Sequence, residues 1–117
     1  TTRVEHPAIL SLSPYLEKLG VAVVQLKVDK QGNLDLNEYE RFLTENTALV
    51  TVMTANNETG VIFPVEKMAR MAREKGVLFH TDAVQAAGKI PLNMKDSAID
   101  MLSISGHKLH APKGVGA

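Results

Sequence analysis

Apolar side chains recur at helical spacing over residues 7–19, where Ile9, Leu12, Leu16 and Leu19 share a face and Gly20 supplies a stop. Pro14 lies inside that stretch and is expected to kink or shorten the helix, because its ring removes an amide donor and crowds the preceding turn. Residues 21–28 are rich in valine and predict a strand. Asp29-Lys30-Gln31-Gly32-Asn33 has turn composition. Asp35 then stands as the N-cap of a helix reaching about Leu43, with Glu38 three residues on to complete a capping box. Residues 48–54 predict a second strand. Pro64 opens an amphipathic helix that runs through Lys75, with Val65, Met68, Met71 and Ala72 inward and Gly76 at its close. Residues 77–81 predict a third strand, followed by a short helical turn and a loop that Pro91 interrupts. Residues 101–105 predict a fourth.

Strands alternate with helices, and three of the short strands are nearly continuous apolar runs. That pattern predicts an α/β layer whose mostly parallel sheet has helices on both faces. The polar residues sharpen it. Asn56 and Asn57 follow one strand, Asp82 and Gln85 the next, and Ser105, His107 and Lys108 the last, each about one strand-helix-strand unit apart. Ligands of open parallel sheets bind outside the carboxyl ends of the strands. Three successive strand ends are therefore expected to deliver an amide pair, a carboxylate with an amide, and a hydroxyl-imidazole-amine group to one rim.

Composition narrows the function classes. A length of 117 residues allows one domain or part of one, and a hydrophobic fraction of 44% suits a real core. Lys plus Arg and Asp plus Glu number 13 each, so there is no electrostatic footprint for nucleic acid or an anionic membrane. No apolar run approaches the length of a membrane span and no signal peptide opens the chain. Without cysteine, these residues can hold no disulfide, thiolate metal site or cysteine nucleophile. A cytoplasmic location is expected. The chain opens on Thr1-Thr2-Arg3 without an initiating Met and stops at Gly114-Val115-Gly116-Ala117, which resembles the start of a strand. Residues 1–117 are thus expected to be an internal fragment of one larger domain.

A rim with a lysine and an aspartate has the groups that pyridoxal 5'-phosphate (PLP) requires. A lysine amine forms the imine, and a carboxylate pairs with the pyridinium nitrogen so that the ring acts as an electron sink. Further donors hold the phenolic oxygen and the phosphate. Lys plus Asp at such spacing is by itself a weak signal, and the flanking residues strengthen it. Glu5-His6, Thr54-Ala55-Asn56-Asn57-Glu58-Thr59-Gly60, His80-Thr81-Asp82-Ala83-Val84-Gln85 and Ser105-Gly106-His107-Lys108 occur in this order. Together they resemble the motifs of the cysteine desulfurases, within the class V aminotransferase-like PLP enzymes, across essentially the whole chain. Leu109-His110-Ala111-Pro112-Lys113-Gly114 resembles the nitrogen-fixation (NifS-like) branch more than the housekeeping branch.

The resemblance implies that these residues belong to the large PLP-binding domain of a type I aminotransferase-like fold. It implies that Lys108 holds PLP as a Schiff base and later moves the substrate Cα proton. Asp82 would pair with the pyridinium nitrogen, and Gln85 and Asn57 would bond near the phenolic oxygen. His6 would stack on the ring and act in acid-base steps. Ser105 and His107, with Gly106 between them, would bind the phosphate. The implied reaction converts L-cysteine to L-alanine and leaves sulfur as a persulfide on an enzyme cysteine, for iron-sulfur cluster assembly. The implied partners are a second copy in a homodimer and a sulfur-accepting scaffold protein. The persulfide cysteine, an upstream Gly-x-Thr phosphate loop and a downstream carboxylate-binding arginine of that family all lie outside these residues, so the fragment alone is expected to be inactive.

Other readings stay beside this one. A selenocysteine lyase or another class V aminotransferase shares the fold, and a non-catalytic PLP-fold scaffold would need no Schiff-base lysine. His80-x-Asp82 is half a metal site with no further ligand in view, and His80 is expected to pack at its strand end. Residues 29–40 repeat the ligand spacing of a calcium loop, but Leu34 stands where that loop needs glycine. Asn57-Glu58-Thr59 fits a glycosylation pattern that a cytoplasmic enzyme would not use.

Overall fold

Three short parallel strands form the sheet of the computed structural model, which describes residues 1–117. They are β1 (Leu49–Thr51), β2 (Leu78–Asp82) and β3 (Met101–Ser103), in the spatial order β1-β2-β3. Leu49 pairs with Leu78, Val50 with Phe79 and Thr51 with His80. Across the other edge of β2, His80 pairs with Met101 and Asp82 with Ser103. Backbone bonds carry β1 further along β2: Val52 N–H donates to His80 O at 3.2 Å and Thr54 N–H to Asp82 O at 2.9 Å. The α/β reading with a parallel sheet is borne out.

Four helices accompany the sheet: α1 (Pro7–Leu10), α2 (Ser13–Lys18), α3 (Leu36–Phe42) and α4 (Val65–Glu74). The helix expected over residues 7–19 is two, α1 and α2, broken at Ser11 and Leu12 just before Pro14. The cap of α3 is Asp35, whose carboxylate accepts from Asn37 N–H at 2.8 Å. Glu38 does not return a bond, so the expected capping box is only a one-way cap. The strand expected over residues 21–28 does not form. Leu26 makes one isolated bridge to Thr2, and Val28 one to Leu34. Valine favours a strand only where a neighbouring strand supplies a ladder, and here residues 1–3 and Leu34 supply only isolated bridges. The turn at residues 29–33 is present, with Asp29 Oδ1 accepting from Gln31 and Asn33 N–H at 2.8 Å each.

The core forms where α4 lies on β2. Val65, Met68, Ala69 and Ala72 of α4 are buried, and Met71 packs at the margin. Ala69 is the inward position that spacing alone did not pick out. These side chains share one cluster with Val50, Val52, Phe79 and Ile99. Tyr39 ties α3 to it, donating its hydroxyl to Met68 O at 2.9 Å. The opposite face of the sheet is open: Leu49, Leu78 and Met101 are 48%, 53% and 42% exposed.

Candidate functional site

Parallel pairing brings the carboxyl ends of β1, β2 and β3 to one edge, and the polar residues singled out by sequence follow those ends. After β1, Asn56 closes a tight loop. Its Oδ1 accepts from Glu58 N–H at 3.0 Å, Thr59 N–H at 2.9 Å and Thr59 Oγ1 at 3.1 Å. That loop leaves Asn57 exposed. Asn57 and Gln85 line one open cleft of about 450 Å³, with Glu58, Ile62 and Ile90 among its walls. Gln85 Oε1 accepts from Lys89 Nζ at 2.9 Å, which leaves its amide NH₂ available to donate.

Asp82 ends β2, half-buried. Its Oδ1 accepts from Val84 N–H at 2.9 Å, and Oδ2 has no partner. Beyond β3 the chain enters a single 3-10 turn, Gly106–Leu109, which puts Lys108 on the surface. The expected strand to residue 105 therefore ends at Ser103, with Ser105 holding only an isolated bridge to Gly116. Ser105 Oγ and His107 Nδ1 are 2.8 Å apart. Lys108 makes neither an ion pair nor a hydrogen bond through its amine. Gly106 is buried, and a Cβ there would sit 2.9 Å from Val115 O, so only glycine lets the two backbones approach. At Gly88 a Cβ would meet Leu109 Cδ2 at 2.8 Å. The turn that carries Lys108 thus packs against the loop that follows Asp82 and Gln85.

His6 precedes α1 as its N-cap. Its Nδ1 accepts from Ala8 N–H at 3.1 Å, which places the ring proton on Nε2 and leaves the imidazole exposed. Asp82, Ser105, His107, Lys108 and His6 all lie outside the lining of the Asn57–Gln85 cleft.

Two polar arrangements had no signal in the spacing. His80 lies across the sheet, its Nδ1 2.7 Å from Thr51 Oγ1 and its Nε2 3.0 Å from Ser103 Oγ. Burial lowers its pKa from the ordinary imidazole value, while the nearby Asp82 charge pulls it back up. His80 therefore does not pack at a strand end as expected: it is the middle residue of β2, flanked by strands on both sides and hydrogen-bonded at both ring nitrogens. Glu5 is buried, and burial raises its pKa against the pull of hydrogen bonds from Thr2 and Met53.

The sequence matches the class V aminotransferase family over residues 1–117. The chain belongs to that family. The cysteine desulfurase NifS of Azotobacter vinelandii is 61% identical over 116 residues, which cover 99% of this chain and 29% of that protein. A solved NifS-like protein superposes with a TM-score of 0.93 at 44% identity, over 98% of this chain and 32% of that one. SspA solved in complex with cysteine superposes with a TM-score of 0.94 at 37% identity, over 98% and 33%. The chain therefore spans less than a third of the length of the curated relatives it matches.

Proposed function

We propose that this chain is the cofactor-holding part of a PLP-dependent cysteine desulfurase of the NifS-like branch. The whole enzyme converts L-cysteine and an enzyme thiol to L-alanine and an enzyme persulfide. It acts in the cytoplasm as a homodimer and supplies sulfur for iron-sulfur cluster assembly. The observation that carries the reading is that three adjacent parallel strands bring an amide, an acid and an amine to one edge.

The donor set fits PLP. Lys108 offers an amine with no competing partner, and Asp82 offers a carboxylate oxygen with none. When bound, the cofactor supplies an electron sink that makes the substrate Cα proton acidic. Lys108 would hold the cofactor through Nζ, and the same amine would take and return the proton at Cα. Asp82, through its unpartnered Oδ2, would keep the pyridine nitrogen protonated. Gln85 and Asn57, which line one cleft, would donate toward the phenolic oxygen. Ser105, His107 and the close-packed Gly106 backbone would hold the phosphate. His6 presents an exposed ring with its free proton on Nε2, suited to stacking and to proton transfer. The thiol that receives sulfur lies outside these residues, since the chain contains no cysteine.

The test is incubation of the full-length protein with L-cysteine and a reductant. Alanine and sulfide in equal amounts are expected. A 2-oxo acid without alanine would point to transamination and overturn the assignment.

A further inference from the structure

Glu5 is the most buried ionisable side chain near the rim, at 4% exposure, and the proposed chemistry gives it no task. No basic side chain pairs with it; Glu66 and Arg70 form the one ion pair of these residues. Its carboxylate is held by neutral donors. Met53 N–H donates to Oε1 at 3.1 Å and to Oε2 at 3.0 Å, and the Thr2 hydroxyl donates to Oε1 at 2.6 Å. A parallel tie runs from Asn56 Nδ2 to Val4 O at 2.9 Å. Met53 lies just past the end of β1, and Asn56 closes the loop that presents Asn57 to the cleft. The ties land on the two residues before His6, Glu5 and Val4, from partners 48 and 52 residues away.

Removing a carboxylate from water is costly unless it is well bonded. An amide in its place would accept the Met53 N–H at a smaller desolvation cost. A carboxylate accepts from Met53 with both oxygens while also taking the Thr2 hydroxyl, and so fixes the Glu5 backbone in one orientation. The next residue, His6, is exposed and bonded only within its own helix start, its ring to Ala8 N–H and its carbonyl to Ile9 and Leu10 N–H. Its placement relative to the strand end therefore comes from Glu5 and Asn56.

We infer that Glu5, assisted by Asn56, is a positioning residue for His6, latching its segment to the exit of β1 so that the imidazole meets the rim at a fixed place. The inference rests on the role proposed above for His6. Displacing a group in a reacting site by about 1 Å can cost up to a hundredfold in rate.

The experiment uses the full-length protein with Glu5→Ala, Glu5→Gln and Thr2→Val. In the holoenzyme, Glu5→Ala is expected to lower kcat by about tenfold or more with KM little changed. In the apoprotein, the His6 imidazole NMR resonances are expected to shift and broaden, because the ring loses its fixed environment. Glu5→Gln keeps an acceptor for Met53 N–H and is expected to restore most of both. A Glu5→Ala protein that retains kcat within about twofold and unchanged His6 resonances overturns the inference. If Glu5→Ala does not fold, Thr2→Val decides: a smaller loss in the same direction supports the latch, and unchanged kcat with unchanged His6 resonances overturns it. A parent that binds no PLP defeats the reading of the site itself, and the apoprotein resonances then still judge the latch.

Discussion

The two faces of β2 are built for different ends. Toward α4 the strand turns Phe79 and Thr81, both at 0% exposure, into a closed layer of aliphatic and hydroxyl groups. Away from α4 it turns Leu78, His80 and Asp82, which are exposed or half-buried. On the closed side every polar atom is committed: Thr54 and Thr81 hydroxyls lie 2.7 Å apart, and Thr81 Oγ1 donates to Val52 O at 2.7 Å. On the open side Asp82 keeps one oxygen without a partner. One face holds the strand in place, and the other leaves chemistry available at the end of that strand.

The largest effect expected from breaking this contrast is on the closed side. Phe79→Ala should destabilise the full-length protein by about 3–5 kcal/mol in denaturant unfolding, through lost burial and the cavity left against α4. Thr81→Val should cost about 1–3 kcal/mol, because the Val52 carbonyl loses its hydroxyl donor in a buried place.

His80→Gln should change the pH dependence of stability more than its maximum. The native imidazole holds its proton less readily than the unfolded one, so the unfolded state binds more protons below about pH 6.5. The stability due to neutral His80 is therefore present above that value and lost as pH falls below it. The variant should show a flatter fall on the acid side. An unchanged slope would mean that neighbouring groups, not His80, set it.

The amphipathic pattern located α4 because its length and its Pro64 and Gly76 boundaries fix the period. Strand prediction was less even. Residues 48–54 and 21–28 have similar composition, yet only the first forms a strand, because β2 lies beside it and only isolated bridges from Thr2 and Leu34 reach the second. Single-residue propensity does not carry that pairing. The shared strand-end edge was legible because topology puts residues that follow parallel strands on one side, and the proposal of PLP for it comes from motif resemblance. The Glu5 latch and the Thr51–His80–Ser103 chain were not legible. Their partners lie 48, 29 and 23 residues apart, and no local period encodes such distances. The 3-10 turn at Gly106 was missed for a related reason, since it depends on the close approach of Val115.

The central claim is that Lys108 holds PLP. Borohydride reduction of the full-length protein loaded with PLP fixes the cofactor to whichever lysine carries it, and peptide mass mapping then reads the position. The account predicts the pyridoxyl mass on the peptide containing Lys108, with the visible absorbance band lost in Lys108→Ala. A protein that stays colourless with PLP, or a label on another lysine, would contradict it.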